Sequence, residues 1–327
     1  MRQLLGRLSR LPVVATQKFN RSWIGRNPWI RWPALALAAI LLLYYPIGMA
    51  MFYTVDDDVT LEPTPQLYMP GSSKAVATAI TLIEMEADHW APNLPFWHPG
   101  SVLTYMPNYQ SGLMYAVSRF AVEMGDQLGR TRGSSAIDPD LDKAAGLLKA
   151  EGTRWYLSSG SILVQKPSHH LYQDGADALR RYNGRLAMGN AVYDKRADNL
   201  IALLQRIGAD LGAASAALDK RTLESNAGYF DSQADDLFMN IKGRVYAYYL
   251  LLRDIGVDFD SVIKDKDAAE IWAQMLGSLR VAADMYPLIV ANGAQDGLIV
   301  PSHLSAQGFY LLRARTQLKE AVDSLTK

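Results

Sequence analysis

The chain has 327 residues, 49% hydrophobic and 20% charged, which is enough apolar material for one sizeable core and too much for global disorder. Its formal net charge of zero hides an asymmetry. Arg2, Arg7, Arg10, Lys18, Arg21, Arg26 and Arg31 fall in the first 31 residues with no acid among them, which leaves 26 Lys and Arg against 33 Asp and Glu, a net charge of −7, over residues 32–327. An acidic remainder argues against nucleic acid as a partner, and the lack of any cysteine excludes disulfides, thiolate metal sites and cysteine nucleophiles.

Residues 1–31 read as a basic cytoplasmic tail, with Leu4, Leu5, Leu8 and Leu11 sharing one helical face that suits an anionic leaflet as well as a disordered tail suits it. Trp32 to Val55 then runs 24 residues without a charge. As a helix this is roughly 36 Å, enough to cross a hydrocarbon core of about 30 Å. Trp23, Trp29 and Trp32 on the basic side and Phe52 and Tyr53 on the other are placed as interfacial anchors, and the cations before the span put the N-terminus inside. The lipid bilayer is therefore the first expected partner, through Trp32 to Val55. Pro46 is expected to kink this helix. A cleaved signal peptide is the alternative, because Gly48-Met-Ala50 has the small-x-small form of a cleavage site.

Residues 56–71 hold three prolines and a glycine and read as an extended linker. Residues 72–327 read as a translocated, periplasmic helical domain. Ser72 or Ser73 caps a helix carrying Val76, Ile80, Ile83 and Ala87, and a Pro-rich loop from Ala91 to Pro107 follows. The next helix runs from about Asn108 to Leu128, and Asp138-Pro139 opens a short one. The clearest periodicity is Tyr193, Ala197, Leu200, Leu204, Ile207, Leu211, Ala214 and Leu218, spaced alternately by four and three. Extended back through Leu186, Tyr182 and Leu179, it predicts one helix of about 45 to 50 residues, with the phase disturbed at Gly189-Asn190. Further seams run from Ala234 to Ile255, ended by Gly256, from Ala268 to Tyr286, and from Leu304 to Leu325. Two short β-hairpins, at Trp155–Val164 and Leu288–Val300, compete with ordered loops. The expected fold is all-α: a single transmembrane helix followed by an antiparallel helical bundle with one long helix.

Chemistry is sparse. His89 and His98 flank a Trp- and Pro-rich loop beside Glu84, Glu86 and Asp88, but no pair has the spacing of a metal motif, and His169-His170 reads as solvated. No calcium loop, P-loop, nucleophile elbow or dinucleotide fingerprint is present, so no cofactor is expected. The best ligand candidate is an anion-binding loop in which Arg130 and Arg132 supply guanidiniums and Ser134 and Ser135 supply hydroxyls and amides.

Several segments together carry a resemblance: Tyr45-Pro-Ile-Gly-Met49, Asp56-Asp57-Asp58, Leu128-Gly-Arg-Thr-Arg-Gly-Ser-Ser135 with Asp138-Pro-Asp-Leu141, Arg196-Ala-Asp-Asn-Leu200, and Gln307-Gly-Phe-Tyr-Leu-Leu-Arg-Ala-Arg315. The chain resembles the bacterial family known as domain of unknown function 2333. The resemblance implies an inner-membrane anchor with a periplasmic domain and carries no catalytic residue. The expected role is that of a non-enzymatic envelope interaction or scaffold protein, binding a protein partner or itself through the helical domain. The alternative is an envelope hydrolase with a site near the His89 to Tyr105 loop.

Overall fold

A computed structural model describes residues 28–52, 55–102, 104–130, 136–156, 164–224, 231–287, 289–293 and 300–327. The chain divides into two units, one ending at Gly48 and the other beginning at Met49. Among the described residues the first helix is α1, Pro28–Phe52, where Pro28 occupies the first helical position, at which its missing N–H costs nothing. The stretch Arg31–Gly48 is long and apolar enough to cross a membrane, and none of it is buried in the protein. Pro33 and Pro46 both lie inside the helix.

In the second unit no strand forms among the described residues, and an isolated antiparallel bridge pairs Asn292 with Ser302. That bridge lies at the expected Leu288–Val300 hairpin, of which Leu288 and residues 294–299 lie outside the described set. At the other proposed hairpin, Gln165 N donates to Tyr156 O over 2.9 Å, and residues 157–163 are likewise outside it.

α2, Lys74–Asp88, starts where the Ser73 hydroxyl accepts from Val76 N at 3.1 Å. α3, Tyr105–Glu123, begins three residues before the expected Asn108, because Pro107 is tolerated in a first helical turn. It ends in one π turn, Met124–Leu128. α4, Pro139–Leu148, is capped by the Asp138 carboxylate, which accepts from Asp140 N at 3.0 Å. The long helix predicted back to Leu179 is two helices, α5 over Ser168–Ala187 and α6 over Ala197–Glu224. The break is chemical: Gly189 sits at φ +73°, and Asn190 N closes the end of α5 on Arg185 O at 2.8 Å.

α7, Ser232–Asp258, runs through Gly256, which was expected to stop it. There a side chain would meet the Trp272 indole, its Cβ lying 2.6 Å from Nε1, so the glycine admits a neighbouring helix rather than ending its own. α8 spans Asp260–Asp265, α9 Ala269–Ala283 and α10 His303–Thr326.

α7 is the hub. It packs on α2, α3 and α9, while α10 lies against α6 and α9, and α5 against α2 and α4. α3 and α7 meet backbone to backbone: a Cβ at Gly112 would lie 1.8 Å from Asn240 O, and one at Gly243 2.0 Å from Tyr109 O. The seam of α6 (Leu200, Leu204, Ile207, Leu211, Ala214 and Leu218) is buried as its spacing predicts, as are Tyr246, Tyr248 and Trp272.

Candidate functional site

The residues nominated by the sequence are described only in part. Arg130 serves the end of its own helix, donating from Nε to Gly125 O and from a terminal nitrogen to Asp126, each at 3.3 Å, while Arg132, Ser134 and Ser135 lie outside the described residues. Around the His89 to Tyr105 loop the three acids take three different partners. Glu84 pairs with Arg180, Glu86 turns inward to Gln110, and Asp88 accepts from Gln173. His98 Nδ1 accepts from Gly100 N at 3.1 Å, and His169 and His170 stack on each other beside Tyr156. Among the described residues no three His, Asp or Glu side chains form a group able to hold a metal.

Two other features assemble. The first clamps residues 55–73 onto the helical domain. The Tyr109 hydroxyl donates to Asp56 O and the Tyr246 hydroxyl to Asp58 O, both at 3.0 Å, so α3 and α7 hold the backbone on either side of Asp57. Between them Asp57 meets Lys242, whose side chain is wholly buried; the ammonium also donates to Ala283 O and Met285 O at 2.8 Å each and lies 5.3 Å from the Tyr286 ring centroid. Its three N–H groups are thereby used. Burial pulls the Lys242 ammonium below its usual range, and Asp57 opposes that pull.

Arg253 continues the clamp to Leu61 O at 2.8 Å, and Val59 is buried. At the far end Asn183 donates to Leu67 O and Ser73 O, while the Asp258 carboxylate receives the Ser73 hydroxyl and the first amides of α2. A segment expected as linker is thus tied at many points to α2, α3, α5 and α7. Lys242 was legible as a cation beside Ile241 in an apolar seam, whereas the acceptors Asp56 O and Asp58 O are backbone and leave no trace in the sequence.

The second feature is an open groove of about 400 Å3. One wall is a stripe of α3: Ser111, Met114, Tyr115, Ser118, Arg119 and Val122. The other is the end of α4 and the turn after it, Leu148, Lys149, Ala150 and Gly152, with the Trp90 and Tyr172 rings between, edge to face with centroids 5.0 Å apart. Both rings spend their polar atoms on that turn: Trp90 Nε1 donates to Gly152 O and the Tyr172 hydroxyl to Ala150 O, each at 2.8 Å. From behind the α3 stripe, Asp210 of α6 receives Tyr248 at 2.8 Å, Tyr115 at 3.2 Å and Arg119 Nε at 3.3 Å. The Arg244 guanidinium lies 4.2 Å from the Tyr115 ring centroid. The sequence pattern missed this groove because its α3 stripe is half polar and reads as solvent-facing.

No curated protein and no solved structure matches the chain. A family model described as an uncharacterized protein conserved in bacteria matches residues 94–228 and 230–325, more than half the chain and including α3 to α10. The groove's two helical walls and the α7 side of the clamp lie inside that match, and the chain belongs to this family, domain of unknown function 2333 (DUF2333).

Proposed function

We propose that the chain is a single-pass protein of the bacterial inner membrane: residues 1–31 are a cytoplasmic tail, 32–55 cross the bilayer, 56–71 form a docked connector, and 72–327 form a periplasmic bundle of antiparallel helices that works by binding. The observation that carries this reading is α1. Leu35, Leu37, Ile40, Leu41, Leu42, Leu43 and Ile47 are each about half exposed or more, in a stretch with nothing buried. Leaving a large aliphatic side chain in water costs about 1.5–3 kcal/mol, and a bilayer removes that cost for all seven.

The other helix of comparable hydropathy, α6, has 44% of its length buried, and its apolar seam already faces the core. Seven cations before the span and Asp56 to Asp58 after it favour an internal N-terminus. Asp56, Asp57 and Asp58, at the start of the connector, are held by α3 and α7 within the second unit, so the connector belongs to the helical domain. Exposed aromatic side chains at Phe96 and Trp97 favour binding over turnover as the role of its surface.

Alkaline washing of membranes tests the anchor. The full chain should stay in the pellet, and a chain beginning at Asp56 should be released; release of both would sink the reading.

A further inference from the structure

The groove beside α3 has a chemical character that differs from the domain around it. Its lining includes two cations, Arg119 and Lys149, and no carboxylate, on a region whose net charge is −7. Arg119 gives only its Nε to Asp210, so its two terminal amino groups carry no partner among the described residues. Lys149, at the end of α4, is exposed and has no ion pair among them. Asp210 is engaged with Tyr115, Tyr248 and Arg119, and Glu123 with Arg206, while Glu151, between the lining residues Ala150 and Gly152, accepts from Thr153 and keeps its charge near Tyr172.

Below this charged rim the surface is apolar and stiff. Trp90 and Tyr172, only 4% and 2% exposed, form the floor of the groove, and their hydrogen bonds to the turn after α4 fix both rings. Met114, Val122 and Leu148 complete the apolar part. A volume of about 400 Å3 falls in the range of small-ligand pockets. A guanidinium edge with two free amino groups and an ammonium on the opposite wall suit a head group with several oxygens, and the accessible apolar surface of Tyr115 and Val122 suits an apolar body.

We infer that this groove binds a phosphate-bearing amphiphile, its phosphate held between Arg119 and Lys149 and its apolar body laid along Tyr115 and Val122, above the floor made by Trp90 and Tyr172. The inference goes beyond the anchoring reading and does not depend on it. Asp210 acts from behind the wall as a positioning residue, fixing the Arg119 side chain through Nε so that its terminal nitrogens stay available.

The test uses the full-length chain in an amphipathic polymer, labelled with 5-fluorotryptophan, with the Trp90 resonance assigned from Trp90→Phe. Four probes are titrated below their micelle-forming concentrations: dodecyl phosphate, phenyl phosphate, inorganic phosphate and dodecyl maltoside. Saturable movement of the Trp90 resonance by a phosphate ester, weakened about tenfold or more by Lys149→Glu and by Arg119→Gln, is the expected result. Tighter binding of dodecyl phosphate than of phenyl phosphate supports the amphiphile, and the reverse overturns it. Lys149 is exposed, so Lys149→Glu keeps the test valid if loss of the Asp210 contact unfolds Arg119→Gln. The inference is overturned if no probe moves Trp90, if dodecyl maltoside or inorganic phosphate binds as tightly as the esters, or if Lys149→Glu leaves binding unchanged.

Discussion

Glu86→Gln should remove a pH dependence built into the core. Glu86 is 2% exposed, and burial pushes its carboxyl up from 4.5 to about 7, opposed by the bond from Gln110 Nε2 at 2.9 Å and reinforced by nearby Asp56. The folded state therefore keeps a proton that the unfolded chain has lost. Its contribution is fully present below pH 4.5 and falls away as pH rises toward 7 and beyond. Each pH unit across that window is worth at most about 1.4 kcal/mol, so the buried carboxylate costs on the order of 3 kcal/mol at pH 8 relative to pH 4. Glu86→Gln keeps an acceptor for Gln110 and has no charge to bury. The assay is urea unfolding of residues 55–327, followed by circular dichroism at pH 4.5, 6, 7 and 8, parent against variant. Asp235, raised by burial to about 6, and Asp258, also raised by burial, tilt both proteins in the same direction and cancel in the comparison. The variant should gain on the parent steadily from pH 4.5 to 7.5; parallel profiles would refute the reasoning.

Lys242→Met should cost about 3–5 kcal/mol in the same unfolding assay, because it leaves Ala283 O and Met285 O without their donor and Asp57 without its partner. Asp57→Asn should cost less, since the Asp57 side chain is 26% exposed and water can replace part of what it loses; a loss below about 1 kcal/mol for Lys242→Met would contradict the clamp. In α6, Leu204→Asp should cost at least the roughly 2–5 kcal/mol of its lost packing, whereas exposed Gln205→Asp should cost a few tenths, read as melting temperatures. Equal melting of those two variants would contradict the packing of the α6 seam in the core.

Periodicity made most of the helices legible, because burial of a stripe at spacings of three and four is a local property: Leu200 to Leu218 and Leu304 to Leu325 needed no tertiary knowledge. Breaks were less legible. Gly189 and Gly256 look alike in sequence, yet one adopts a left-handed backbone and ends α5 while the other makes room for the Trp272 indole inside α7. The direct contact of α3 and α7 at Gly112 and Gly243 was silent for the same reason, since nothing local says which helix approaches. The site fared worst. Of the anion-loop residues only Arg130 is among the described ones, and the groove joins Trp90, Arg119, Lys149 and Tyr172 from four separate stretches. Asp56 to Asp58 were read only for charge, while their backbone does much of the docking.

The orientation of the chain is the central claim, and the absence of native cysteine makes it directly measurable. Met188 is 67% exposed on the helical domain, and Ser9 lies in the basic tail. With a membrane-impermeant maleimide, Met188→Cys should label in intact spheroplasts and Ser9→Cys only after lysis. Labelling in the opposite pattern would contradict the account, as would a mature N-terminus at Met51 in the same preparation, which would make the apolar helix a cleaved signal.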